Sequence, residues 1–239
     1  MPAPDFVREE LDTLQIELTP DQLERLSDFL HIVLDTNRRM NLTAVRDPAQ
    51  GWRRLIVDSL TVLPGLDELP MDAKVVDVGS GGGFPGIPVA VARPSLQLTL
   101  IEATRKKAEH LRRAADALEL DNVVVINRRA EEVGRDPSHR QSHHAAISRA
   151  VGHLSPVLEY CMPLVKVGGR VLAMKGPSVE RELDASVEAL VQLGGGDLAV
   201  IDAYPESFSN GLLIVSVMKE RGTPGRYPRA PGVPRSQPL

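Results

Sequence analysis

Residues 75–86 read VVDVGSGGGFPG. The β-branched run predicts a buried strand ending at Val78, and the glycines after it let the backbone turn sharply at no steric cost. Pro85 suits the first turn of a helix whose free N–H groups face whatever lies over the loop. Strand, glycine turn and helix in that order place a nucleotide-like cofactor at the carboxyl end of the strand. In one register Gly81, Gly83 and Gly86 spell G-x-G-x-x-G, the dinucleotide fingerprint, which alone is a weak signal. Asp77 bears on the choice of cofactor. Two residues before the first glycine, a carboxylate repels a pyrophosphate but favours the sulfonium and ammonium cations of S-adenosylmethionine. The plainer alternative for Asp77 is a loop or capping acid. Glu102 stands 23 positions after Gly79 at the end of LTLIE. A carboxylate there suits a ribose hydroxyl pair in either cofactor class, or is the solvated end of a strand.

On the carboxyl side the rhythm continues. KVVDV, QLTLIE, NVVVIN, HAAISRA, GRVLAMK and GLLIVSVM alternate with helical stretches near 85–92, 105–118, 155–165 and 178–192. Buried parallel strands with crossover helices have this pattern, so the expected class is α/β, a doubly wound Rossmann-like sheet. DLAVIDAY, after Gly194-Gly195-Gly196, predicts with GLLIVSVM an antiparallel pair at the end of the sheet. On the amino side the first 70 residues read as helical. Thr19-Pro20-Asp21-Gln22 combines a capping Thr, a first-turn Pro and a Gln three residues after the cap, predicting a helix from about Pro20 to Arg39. A second helix is predicted from roughly Ala49 to Leu63, stopped by Pro64-Gly65. From Lys219 the chain holds five prolines and is not expected to form regular structure. The expected division is a helical extension over 1–70 packed on the core, an α/β domain over 71–218, and a basic, Pro-rich tail over 219–239.

With 239 residues, 42% of them hydrophobic, the chain has length for one full-sized domain and an appendage. Its single cysteine, Cys161, excludes an internal disulfide and fits a reducing cytosol. No stretch approaches 18 apolar residues, and the first residues, MPAPDFVREELD, are acidic where a signal peptide is basic and then apolar. A cytoplasmic protein without a membrane partner is expected. The formal charge of -4 argues on its face against a polyanionic partner. The tail from Lys219 carries +4 of its own, leaving −8 for residues 1–218, so the total hides a split.

In this order and spacing MNLTAVRDP (40–48), DSL (58–60), VVDVGSGGGFPGIPVAVARP (75–94), NRRAEE (127–132), ISRAVG (147–152) and MKG (174–176) resemble the GidB/RsmG family. Its members are bacterial methyltransferases acting on ring nitrogen 7 of a guanine in small-subunit (16S) ribosomal RNA. The resemblance runs from about residue 20 to the end, where RYPRAPGVPRSQPL is similar to the basic tail of some members. It implies the S-adenosylmethionine-dependent methyltransferase form of the fold, S-adenosyl-L-methionine as cofactor, and small-subunit ribosomal RNA or the small ribosomal subunit as partner. Gly79, Phe84, Ala130, Glu131 and Arg149 match the family's cofactor-contacting positions. Asp77, Gly81 and Glu102 join them from the residue pattern. One departure is Leu55: many members have His a few residues before the D-S of DSL.

Nitrogen 7 of guanine has an in-plane lone pair and no proton to lose, so attack on an activated methyl requires no general base. Catalysis then falls to positioning and electrostatics. Arg149, ending the fourth strand, is the candidate for holding the guanine oxygen, a phosphate or the cofactor; its alternative is a structural arginine paired with an acid. Lys175 at the next strand's end is a weaker candidate of the same kind. Arg38, Arg39, Arg46, Arg53 and Arg54, then Arg105, Lys106, Lys107, Arg112 and Arg113, then Arg128 and Arg129, form with the tail either a basic rim for RNA or a set of solvated helix faces. Aromatic residues near them are few, which suits folded RNA or ribonucleoprotein better than free single strands. His139, His143 and His144 lie in a polar stretch with no nearby cysteine, and no metal is expected there. Two other functions fit parts of the pattern: an NAD(P)-dependent oxidoreductase, from G-x-G-x-x-G and Glu102, and a non-catalytic RNA-binding or assembly module.

Overall fold

The computed structural model describes residues 3–205 and 210–239. Its centre is a sheet of strands β1 (Lys74–Val78), β2 (Gln97–Ile101), β3 (Val123–Ile126), β4 (His143–Arg149), β5 (Val165–Lys175), β6 (Gly195–Asp202) and β7 (Leu213–Lys219), in the order β3-β2-β1-β4-β5-β7-β6. The first five pair in parallel; β7 runs antiparallel to both β5 and β6. The antiparallel pair anticipated at the end of the chain is thus present. Winding outward from β1 in one direction and from β4 in the other leaves a crevice beyond the carboxyl ends of these two neighbours, where a doubly wound sheet binds its ligand.

Alternation along the strands sorts residues to two faces. Val75, Leu98, Leu100, Ala145, Ile147 and Leu172 belong to one buried cluster, and Val76, Val78, Ile101, Ala146, Val171 and Val215 to the other. The amino-terminal helix α1 (Asp5–Thr13) supplies Val7 and Leu11 to the first cluster and α2 (Pro20–Asn37) supplies Leu26, Phe29 and Leu30, so this segment and the sheet share one core. Met1 and Pro2, the first residues of the expected 1–70 extension, lie outside the described residues. The predicted capping box forms: Gln22 N–H donates to Thr19 Oγ1 at 3.2 Å, and Thr19 N–H to Gln22 Oε1 at 2.8 Å.

The second predicted helix is corrected by the structure. It is built of α3 (Pro48–Gly51), a π-helical segment over Trp52–Val57, and α4 (Asp58–Leu60), with a 3-10 turn at Leu63–Gly65. The wider turn serves a tertiary bond, since the Arg54 carbonyl accepts from Arg149. The crossover helices are α5 (Gly86–Ala92), α6 (Arg105–Ala117), the single turn α7 (Ala130–Val133), α8 (Leu154–Cys161) and α9 (Glu180–Leu193).

Residues 220–239 contain one helical turn, α10 (Val233–Ser236), as the prolines lead one to expect. The tail is nevertheless packed against the body. Lys219 is buried with its Nζ donating to the carbonyls of Met162 and Val165, and Arg229 pairs with the buried Glu159. Two of its five cations are therefore spent on internal partners.

Candidate active site

The glycine loop is shaped from below. Gly79 and Ser80 donate to the Ile101 carbonyl at 2.9 and 3.1 Å, tying the loop to the end of β2, and Gly83 and Phe84 donate back to Ser80 O. Gly79 has φ +76, and a Cβ there would lie 2.8 Å from Val151 Cγ2, so both conformation and space require glycine. Above the loop lies a cleft of about 730 Å³, within the range of small-molecule sites. Gly79 and Gly81 floor it, Phe84 forms a wall, Glu102 closes the β2 side, and Arg149 stands at the β4 side. Phe84 is itself held by Phe29, ring centroids 5.1 Å apart.

Glu102 is almost fully buried; Oε2 accepts from Gly81 N–H at 3.0 Å and Oε1 from Thr104 N–H at 2.6 Å. Two amide bonds fix the carboxylate and leave acceptor capacity for a diol. The loop over the far side of the cleft, residues 42–47, is organised by Asn37. Its amide donates to the carbonyls of Thr43 and Val45, and its Oδ1 accepts from the N–H groups of Leu42 and Thr43. This side contributes Arg46 and Arg54, and α6 contributes Lys107, so with Arg149 four cations face Asp47 and Glu102. Sequence reasoning passed over Asn37; a buried amide ending a long helix was the available signal.

Arg149 combines both alternatives set for it. One Nη2 donates to the Arg54 carbonyl and to Asp58 Oδ2 at 3.1 Å, while Nη1 is buried with no partner among the described residues. Asp58 Oδ1 also accepts from Tyr204 Oη at 2.7 Å and Asn210 Nδ2 at 3.1 Å. Burial lowers the Arg149 guanidinium from its ordinary value, and the Asp58 carboxylate opposes that shift. Burial, then Asp58, pushes the Tyr204 hydroxyl up, so it stays a donor. Asp58 is the acid of the DSL triplet; its role shows only with β4, Tyr204 and Asn210 beside it.

Three groups of candidate residues stand apart from the cleft. Asp77 is fully buried beneath the loop rather than facing the cleft, with Oδ2 accepting from Gly86 N–H at 3.0 Å and Oδ1 unpartnered. The cause is register: Asp77 sits opposite Ile147, two residues short of Arg149 and of the strand ends that reach the cleft. Burial chiefly pushes its carboxyl up to about 7. Lys175 is turned from the cleft to Glu182 Oε2 and the Gly152 carbonyl, both at 2.7 Å. Glu131 is buried and accepts from Gly232 N–H of the tail at 2.8 Å, and neither it nor Ala130 is among the residues that line the cleft. Among the described residues no group of three or more His, Cys, Asp or Glu is placed to hold a metal ion. His144 Nδ1 accepts from Lys74 N–H, and His143 Nδ1 lies against the Leu164 carbonyl. Cys161 is buried, and burial pushes its thiol up to about 12. No helix of the described residues is long and apolar enough to cross a membrane.

Strand order, the reversed β7 and a glycine-floored cleft closed by an acid at the end of β2 define the Rossmann-like fold of S-adenosylmethionine-dependent methyltransferases. Solved structures agree at the level of fold. A point mutant of MtNAS in complex with S-adenosylmethionine gives a TM-score of 0.56 at 15% identity over 83% of this chain and 73% of that one. A Methanococcus maripaludis protein assigned by inference as an S-adenosyl-L-methionine-dependent methyltransferase gives 0.53 at 13% identity, covering 72% and 90%. The family is fixed by sequence. The GidB model, rRNA small subunit methyltransferase G, matches residues 22–204, and the chain belongs to that family. It is 38% identical to the ribosomal RNA small subunit methyltransferase G of Moorella thermoacetica over 94% of this chain and 93% of that protein. The counterpart in Pelotomaculum thermopropionicum is 36% identical over 98% of each. An oxidoreductase reading is not favoured.

Proposed function

We propose that this chain transfers a methyl group from S-adenosylmethionine to nitrogen 7 of a guanine in 16S ribosomal RNA, acting in the cytoplasm on the RNA or the small ribosomal subunit. The observation that carries the reading is family membership over residues 22–204 together with the cleft above Gly79 and Gly81, with Glu102 and Arg149 on its two sides. The residues present fit the cofactor. Bound S-adenosylmethionine supplies a methyl group on a sulfonium, activated for in-line attack.

This chain's residues bind and orient. Gly79 and Gly81 let the backbone approach closely, Phe84 packs an apolar wall, and the fixed Glu102 carboxylate takes the ribose hydroxyls. The backbone of Ala130 and Glu131 reads the adenine edge. Arg149, anchored through Nη2 at the β4 side of the cleft, is the cation placed to meet the guanine oxygen or an adjacent phosphate. Asp77 acts below the loop, holding the start of α5. No residue takes a proton, since nitrogen 7 has none to give, and alignment of the two partners supplies roughly 7–11 kcal/mol of the acceleration.

The test is transfer of a labelled methyl group to unmodified small subunits and to free 16S RNA, followed by mapping of the modified base. Label at nitrogen 7 of one guanine supports the reading. No label on either substrate favours a non-catalytic RNA-binding role. Thermal stabilisation by NAD(H) and not by S-adenosylhomocysteine would sink the methyltransferase assignment.

A further inference from the structure

The tail after β7 is tied at successive points to α9, to the segment between α7 and β4, to α8 and to α7. Thr223 Oγ1 donates to Leu193 O at the end of α9, at 2.7 Å. Arg140, between α7 and β4, forks onto the carbonyls of Thr223, Pro224 and Tyr227. Arg135 does the same for Arg226 and Pro228. Arg229 then pairs bidentately with Glu159 of α8, at 2.6 to 3.1 Å, and its own N–H donates to the same carboxylate at 2.7 Å. Glu159 is fully buried, so this pair is shielded from solvent on one side. Three residues on, Gly232 N–H meets Glu131 Oε1 of α7, and the Leu239 carbonyl accepts from Ser155 at the start of α8 at 3.1 Å.

Two features give these bonds a consequence for the site. First, α7 is a single turn of four residues and has too few internal hydrogen bonds to fix its own place. Second, α7 follows β3 and α8 follows Arg149 and the Val151 that lies against Gly79, so the tail ties together the segments that leave β3 and β4 at their carboxyl ends. Without Gly232 N–H, the buried Glu131 carboxylate is left short of a donor, and the turn must shift to find another or reach water.

We propose that the tail is a strap whose Gly232 and Arg229, acting through Glu131 and Glu159, are positioning residues for the adenine end of the cofactor. They set where the backbone of Ala130 and Glu131 stands relative to the adenine edge. The inference rests on the proposed function and adds to it a determinant of base recognition that lies outside the family-matched residues 22–204.

The experiment is calorimetric titration of S-adenosylhomocysteine, and of its analogue with hypoxanthine in place of adenine. The proteins are the full chain, a chain ending at Ala230, which keeps the Arg229–Glu159 pair, and Arg229→Ala with Arg229→Lys as the conservative variant. The expected result is an affinity for S-adenosylhomocysteine about tenfold lower in the shortened chain and in Arg229→Ala, with partial recovery in Arg229→Lys. The full chain discriminates adenine from hypoxanthine, the shortened chain loses that discrimination, and its kcat at saturating cofactor stays within about twofold, so the effect falls on KM. Affinities within about twofold across all four proteins, with base discrimination retained, overturn the strap. Failure of the full chain to bind S-adenosylhomocysteine overturns the functional reading itself, and the strap with it.

Discussion

Arg149 and Asp77 show how far a residue's role follows from its type and position. Both stand on one face near the crevice, but the register sets Asp77 opposite Ile147, two residues short of Arg149, so Arg149 reaches the cleft and Asp77 stays beneath the loop. That offset depends on how β1 and β4 pair, which the sequence of KVVDV alone does not fix. The Asp58 contact of Arg149 was not legible, since the two residues are 91 positions apart. Replacing Arg149 with Ala is expected to lower methyl transfer about a hundredfold or more, as loss of a fixed charged donor does. Arg149→Lys recovers little, because an ammonium cannot hold Asp58 and the Arg54 carbonyl while meeting the substrate; rates of label incorporation check both. Asp77 gives a pH signature. Its folded pKa of about 7 lies above the ordinary 3.8, so the folded state binds the extra proton and the carboxyl's contribution to stability is lost as pH rises from about 4 to about 7. Asp77→Asn keeps an acceptor for Gly86 N–H and removes the titration. Its stability relative to the parent chain is expected to climb over that window and level off above it, in urea denaturation at pH 4.5, 6 and 8.

At the next scale the elements divide by whether local signals determine them. The helix α2 forms where its sequence says, because Thr19, Pro20 and Gln22 satisfy the first-turn N–H groups without tertiary help. Thr19→Ala is expected to cost about 1 kcal/mol in urea denaturation while leaving transfer rates unchanged, since the cap lies away from the cleft. The strands were equally legible, being short β-branched runs at regular spacing, and β6 and β7 pair as their glycine-flanked runs imply. The segment 48–60 was not. Its apolar spacing reads as ordinary helix, and the π-helical turn that aims the Arg54 carbonyl at Arg149 depends on a partner nearly a hundred positions away. The packing of the tail was not legible for the same reason. Prolines exclude repetitive hydrogen bonding, but they do not prevent a chain from being pinned by Arg135, Arg140 and Glu159, none of which carries a local signal for that contact.

Over the whole molecule the question is which charges are free to meet RNA. A total of -4 says little, and splitting off a +4 tail says less than it promised once Lys219 and Arg229 are found engaged inside the protein. Arg53 is likewise tied to the buried Glu10, and Arg128 to Asp136. The cations that line the cleft are Arg46, Arg54, Lys107 and Arg149, around the cleft proposed to receive the substrate base. If these make the phosphate contacts, binding to small-subunit RNA will weaken with salt through them and not through the tail. Replacing Arg46, Arg54 and Lys107 together with Ala is expected to lower the slope of log K against log salt by about 2 to 3, somewhat less than one unit per contact. Arg229→Ala should leave that slope unchanged while weakening the cofactor. The opposite result, a slope that falls with Arg229 and not with the three cleft residues, would return the tail to the role of an RNA-binding arm. Filter binding between 50 and 300 mM salt on the same RNA fragment separates the two.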